Sequence, residues 1–246
     1  MSNVSNVDVS DKSSSTTAVD SRTELFESAS IPSAVVKLCV PTIFSSLVTM
    51  LYNLADTFFV GMLNNSAQNA GVTLAAPVIL AFNAVNNLFG VGTSSRMSRS
   101  MGSRDYDTVY KSSAIGFYSA LFFSAIFALG CTVFKAPLMR LLGANPADAA
   151  TYDATSGYFF WTVTCGAVPT IMNVVLSYLV RAEGAALYAS IGVMSGCILN
   201  IVLDPIFILP WGFNMGAAGA GLATFISNCV ACLYFFVLIW IRRKRT

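Results

Sequence analysis

The sequence predicts an all-α integral membrane protein, a six-transmembrane-helix bundle, and three observations carry that expectation. Hydrophobic residues make up 55% of the 246-residue chain and charged residues only 11%, where soluble globular domains carry roughly 25% charged residues. Apolar runs recur at lengths close to the ~20 residues that a helix needs to cross a bilayer. The basic residues fall almost wholly on one side of those runs, which is the asymmetry that orients membrane helices.

Taken in order, residues 1–30 are polar and rich in Ser, Thr, Asp and Asn, with almost no large apolar residue before Leu25. Such a segment cannot bury enough surface to fold. It reads as a disordered cytoplasmic tail, not a cleaved leader, which would need an apolar stretch of its own. Residues 31–246 read as one six-helix transmembrane lobe, with spans expected near 35–62, 71–95, 112–134, 156–180, 187–210 and 217–241. The first contains Pro41, which a membrane helix tolerates because neighbours satisfy the freed backbone groups. Gly166 and Pro169 mark a kink in the fourth. Turn-forming clusters separate the runs: Asn64-Asn65-Ser66, Gly102-Ser103-Arg104-Asp105, Gly143-Ala144-Asn145-Pro146 and Pro210-Trp211-Gly212.

With the N-terminus in the cytoplasm, all of the 14 Lys and Arg except Lys135 and Arg140 lie inside. Both termini are therefore expected to be cytoplasmic, in a cell membrane, with Arg242-Arg243-Lys244-Arg245 as a stop anchor beside anionic lipid and not a nucleic-acid patch. All six cysteines sit inside apolar runs, which argues against a disulfide framework. Cys229-x-x-Cys232, in a chain with no histidine, reads as packing and not as a metal or redox site.

Among the 12 acidic residues, Asp56 and Asp204 stand out because apolar sequence flanks each. A carboxylate in the hydrocarbon costs roughly 2.5–3.5 kcal/mol by insertion scales, so such residues face the bundle interior and mark an ion or substrate path. Spans one and five run in the same direction and each aspartate comes late in its span, so the two are expected at similar depth, in the outer half of the membrane. The bland alternative is that either snorkels to outer water or makes a structural hydrogen bond.

Asn200 stands one turn before Asp204, and Tyr52 one turn before Asp56, so each pair shares a helix face. Thr224 reaches similar depth from the sixth span, while Asn173 in the fourth is expected deeper. Pro205 removes a backbone N–H beside Asp204 and frees carbonyl oxygen for a cation. An inventory made only of oxygens suits a proton or a hard cation such as Na⁺, not zinc or copper. A fainter internal echo is present: Asp56-x-x-Phe59 precedes Leu74-Ala75 at the same spacing as Asp204-x-x-Phe207 precedes Leu222-Ala223.

These residues bring a known family into view. Pro41 followed by Leu51-Tyr52-Asn53-Leu54-Ala55-Asp56-Thr57-Phe58-Phe59-Val60-Gly61 resembles the first helix of the multidrug and toxic compound extrusion (MATE) family. Ser98-Arg99-Ser100-Met101-Gly102, Leu141-Leu142-Gly143-Ala144 and Arg181-Ala182-Glu183-Gly184 are similar to its motifs in order and spacing. The most specific piece is Asn200-Ile201-Val202-Leu203-Asp204-Pro205-Ile206-Phe207-Ile208 followed by Gly219-Ala220-Gly221-Leu222-Ala223-Thr224. A glycine common in the family shortly after Val60-Gly61 is replaced here around Asn64.

The resemblance implies an antiporter that admits Na⁺ or H⁺ as coupling ion, with no other cofactor, and exports organic cations or drugs. By motif, Asp56, Asn200, Asp204 and Thr224 look like the family's cation site, where Na⁺ would bind, and Tyr52 and Asn173 match less surely. The chain would be equivalent to one lobe of a twelve-helix MATE transporter. A second six-helix lobe or a homodimer partner is then expected, since alternating access needs two bundles around a site; a half-transporter, a truncated product and a fragment all fit. A lipid-linked oligosaccharide or polysaccharide flippase of the same superfamily would be expected to place cationic residues in its cavity, whereas the charges set within these spans away from their starts, Asp56 and Asp204, are both acidic. An inactive assembly subunit is the other alternative. An enzyme is the least compatible reading, with no histidine, no Gly-x-Ser-x-Gly and no metal-ligand cluster in the sequence.

Overall fold

The computed structural model describes residues 31–243. The expected disordered tail, residues 1–30, lies outside the described residues, as do Lys244 and Arg245 of the basic cluster. The chain forms α1 (Ile31–Met62), α2 (Ser66–Asn86), α3 (Gly92–Gly102), α4 (Tyr106–Val133), α5 (Lys135–Leu141), α6 (Ala149–Phe159), α7 (Ala167–Ala182), α8 (Ala186–Ile208) and α9 (Ala217–Arg243). A π-helical stretch, Asn87–Val91, joins α2 to α3, and a second, Phe160–Cys165, leads from α6 towards α7.

Five stretches are long and apolar enough to cross a membrane: Val35–Met62, Ser66–Gly102, Tyr106–Val133, Ala186–Ile208 and Ala217–Arg242. The remaining span, fourth in chain order, is broken, with Ala149–Cys165 and Ala167–Ala182 meeting at a 50° bend. That bend falls at Gly166, where a Cβ would stand 2.6 Å from the carbonyl oxygens of both Trp161 and Thr162, closer than any side-chain carbon can come. Pro41, by contrast, interrupts nothing: α1 is one helix from end to end.

The second span is longer than its apolar run suggests. Helical hydrogen bonding continues past residue 95 through α3, whose Arg96 and Arg99 are exposed while Met97 is fully buried. The short helix α5 was hidden in what reads as a loop, and it turns Met139 into the core. The chain reverses through left-handed residues where the turn clusters lie, at Asn64, Arg104 and Gly143, and also at Gly184, Asn214 and Gly216. Side-chain caps start the helices that follow: Asn65 accepts from Ala67 and Gln68 N–H, Asp105 from Thr108 N–H and Asp148 from Thr151 N–H.

In packing, α1 lies chiefly on α8, α8 on α9, α2 on α6 and α4 on α7, with α9 also against α6 and α7. Small residues set the closest approach. Gly192 and Gly196 of α8 face Tyr234, Phe235, Ala231 and Ser227 of α9, where added Cβ atoms would meet them at 2.6–3.4 Å, the close approach by which membrane helices associate. The same α8 stripe continues, turn by turn, into buried Asn200, Asp204 and Ile208.

One apolar cluster, including Phe82, Met97, Phe159, Ile171, Leu176 and Phe235, fills the bundle. A second, with Val60, Ala75, Tyr158, Ile208, Leu209, Ala217 and Ala220, closes the end where α1, α2, α6, α8 and α9 meet. At that end the loop after α8 returns to satisfy the helix's last carbonyls, with Phe213 N–H donating to Ile206 O at 2.9 Å and Met215 N–H to Phe207 O at 2.9 Å. Gln68 of α2 does the same for α9, accepting from Ala217 N–H at 2.7 Å. In a bilayer, each such group left unpaired would cost several kcal/mol.

Candidate functional site

The second apolar cluster fixes the height of the polar residues. Val60 and Ile208 pack in one cluster, and Asp56 and Asp204 each stand one helical turn further into the bundle from them. Ala220 belongs to the same cluster, and Thr224 lies one turn beyond it on α9. Three helices thus deliver two carboxylates and a hydroxyl to one level.

Asp204 is fully buried and Asn200 is 2% exposed. In the amide orientation that satisfies its neighbours, Asn200 Nδ2 donates to Asp204 Oδ2 at 3.0 Å, and Asn200 Oδ1 accepts from Thr224 Oγ1 at 3.3 Å. The other oxygen, Asp204 Oδ1, is buried without a hydrogen-bond partner, and so is Asp56 Oδ1. The two carboxylates lie within electrostatic range of each other and of the Tyr52 and Tyr158 hydroxyls, and Tyr52 reaches Thr224.

Two like charges within electrostatic range of each other in a low-dielectric interior repel. Two buried acceptors without donors call for a proton or a cation, because an unmet buried polar atom is costly. Four oxygen-bearing side chains from α1, α8 and α9 therefore converge on one position that a hard cation or proton would relieve. No cluster of three or more Asp, Glu, His or Cys suited to a metal ion occurs among the described residues, so a resident transition metal has no ligand set there.

Asn173 is not in direct contact with the pair. Its Nδ2 donates to Asn228 Oδ1 at 2.8 Å, and Asn228 Nδ2 donates to Thr224 O at 2.9 Å. Asn228 and Tyr158 are the residues that sequence reasoning missed. Asn228 sits one turn after Thr224, a spacing that could have revealed it; Tyr158, fully enclosed in an apolar run, offered no such signal. The aromatic residues Phe82, Phe89 and Phe117 are used in ring packing with Phe127, Phe123 and Phe236, while Tyr118 and Phe122 point outward, 67% and 62% exposed.

Residues 41–206, which hold α1 through most of α8, match the family described as MatE. The chain belongs to the MATE family. Among MATE relatives, the multidrug export protein MepA of Staphylococcus haemolyticus (strain JCSC1435) is 32% identical over 222 residues, 90% of this chain and 47% of that protein. MepA of Staphylococcus aureus (strain MSSA476) is 31% identical over 218 residues. The chain spans about half the length of the curated relatives it matches.

Solved MATE structures superpose on it equally well. An outward-facing multidrug resistance MATE transporter gives a TM-score of 0.80 at 31% identity, covering 89% of this chain and 47% of that one. A MATE in the bent conformation gives 0.79 at 30% identity, covering 90% and 48%. A transporter of the wider superfamily from Pyrococcus furiosus, described as having a binding pocket of reverse polarity, gives 0.80 at 30% identity, covering 89% and 47%. The six-helix lobe is therefore a MATE lobe, and the protein is an integral membrane protein.

Proposed function

We propose that this chain is the cation-binding lobe of a Na⁺- or H⁺-coupled antiporter that exports organic cations or drugs. The observation that carries the reading is the Asp56–Asp204 pair, Asp204 fully buried and Asp56 half-buried, with a buried, unpartnered oxygen on each carboxylate inside an apolar bundle. A proton or Na⁺ entering from outside binds among Asp56, Asn200, Asp204 and Thr224, with Tyr52 beside it and Asn173 linked through Asn228. Charge balance then supplies the coupling: while the coupling ion neutralises the pair, α1 packs on α8 differently, by shifting or by bending near Pro41. The lipophilic cation leaves from a cleft between this lobe and a second six-helix lobe, supplied by further sequence or by a second copy. The multidrug export of the MepA relatives supports the substrate class, and the distribution of Lys and Arg supports cytoplasmic termini in the cell membrane.

The test is ethidium export from cells stripped of their own efflux pumps. Asp204→Asn is expected to abolish gradient-driven export while the protein still inserts at wild-type levels; undiminished export by that variant would refute the mechanism. Collapsing the pH and Na⁺ gradients separately identifies the coupling ion.

A further inference from the structure

At the arginine-rich end of the bundle, far along α1 from the acid pair, a cavity of about 410 Å³ opens between α1 (Leu38, Thr42, Ile43), α3 (Ser94, Ser98) and Arg181 of α7. We propose that it binds the phosphate headgroup of an anionic phospholipid.

Arg181 is the central fact. It lies in the last turn of a spanning helix, half-buried, and its Nε is buried without a hydrogen-bond partner. Among the described residues its guanidinium makes a long hydrogen bond from Nη2 to Ser45 Oγ at 3.5 Å and stands over the face of the Tyr178 ring, 5.9 Å away. No carboxylate among the described residues pairs with it; Glu183, two residues on, turns instead to Arg242 at 3.9 Å. Holding a guanidinium out of water with no counter-charge is costly, so an anion from outside the chain completes the site.

The cavity walls say which anion. Thr42, Ser94 and Ser98 line the cavity with Arg181. The Thr42 and Ser94 hydroxyls donate to Leu38 O and Val91 O at 2.9 and 3.0 Å, so the planar guanidinium is the principal donor, and its fork matches the oxyanions of phosphorus. The size lies in the range of about 300–1,000 Å³ typical of ligand pockets. The other wall is apolar and leads outward: Ile43 lines the cavity and is 56% exposed, and Val36, Val40 and Leu47 follow it on the same exposed face of α1. A headgroup seated on Arg181 would lay its acyl chain along that face, which an inorganic ion would leave bare. Lys37, Arg96 and Arg99 stand exposed at this end and favour a net negative headgroup over a zwitterionic one.

The experiment uses the full chain purified in detergent, titrated with phosphatidylglycerol and, separately, phosphatidylcholine, with bound lipid counted by native mass spectrometry. Wild type should retain one phosphatidylglycerol with at least about tenfold preference over phosphatidylcholine. Arg181→Gln should lower that affinity by about tenfold or more, the loss of a charge-assisted contact, and Arg181→Lys should restore part of it. Ser98→Phe, at an exposed position, fills the cavity while leaving the arginine in place; it should also lose the lipid, and it decides the matter if Arg181→Gln does not fold. Equal retention by wild type and Ser98→Phe overturns the site. Saturable, Arg181-dependent binding of inorganic phosphate with no advantage for phosphatidylglycerol overturns the lipid as its source.

Discussion

Asp204 depends on Asn200 more than on any other side chain among the described residues, because the amide is the donor that meets its Oδ2. Replacing Asn200 with Ala should leave the carboxylate with no donor on either oxygen. The expected cost is about 1–3 kcal/mol of stability, the usual penalty for orphaning a buried polar group, read from unfolding of the purified protein in mixed micelles. Asn173→Ala should cost less, because its bond goes to Asn228 and not to the acid. Much of this was legible in the sequence: a carboxylate flanked by apolar residues advertises its own expense, and Asn200 shares its helix face. What lay hidden was the relay through Asn228 and the enclosure by Tyr158, since contacts between helices distant in sequence leave no trace in either helix's own periodicity.

At the scale of the helices, glycine decides which pairs can touch. A Cβ on Gly71 of α2 would stand 2.9 Å from the backbone carbon of Ala154 and the backbone nitrogen of Thr155 on α6, whereas Gly61 near the end of α1 has nothing within 4 Å. Gly71→Ala should therefore destabilise by about 1–3 kcal/mol through overpacking, while Gly61→Ala should leave the melting temperature unchanged within error; matched thermal scans check both.

The helix starts respond to acid. Asp105 and Asp148 are held below the usual carboxylate value of 3.8 by hydrogen bonds from the Thr108 and Thr151 side chains and N–H groups. A depressed folded-state value means that the caps stabilise α4 and α6 fully above that usual value and lose their effect as pH falls through the lower one. The melting temperature should drop between about pH 5 and about pH 3, and less so in the Asp105→Asn, Asp148→Asn double variant. Span positions were readable from apolar length, and the kink from Gly166 with Pro169. The π-helical stretches and α5 were not, because hydrogen-bond register and the burial of a lone Met139 depend on partners that the local sequence does not name.

For the whole molecule, the proposed function makes a single lobe one wall of a pathway. Vesicles reconstituted at less than one chain per vesicle should show no ethidium flux, and if two copies form the transporter the rate should rise with the square of the protein-to-lipid ratio. A linear rise from the most dilute samples would mean that one lobe transports alone. The family and its fold were legible because motif spacing survives in order along the chain. The proposed pairing with a second lobe was not, since it would concern surfaces that meet outside this lobe.

The way α1 is attached has a mechanical result. Only 6% of its most apolar stretch is buried within the bundle, and its main support is α8. A stiff rod fastened along one edge turns as a whole, and α1, at roughly 48 Å for 32 residues, carries Asp56 towards one tip and Leu38, in the wall of the Arg181 cavity, towards the other. While the rod stays unbroken at Pro41, a roll that draws Asp56 from Asp204 must also swing Leu38 along the wall of the Arg181 cavity, so a grip at either tip is felt at both. A bend at the proline would cut that linkage and let the two tips answer separately.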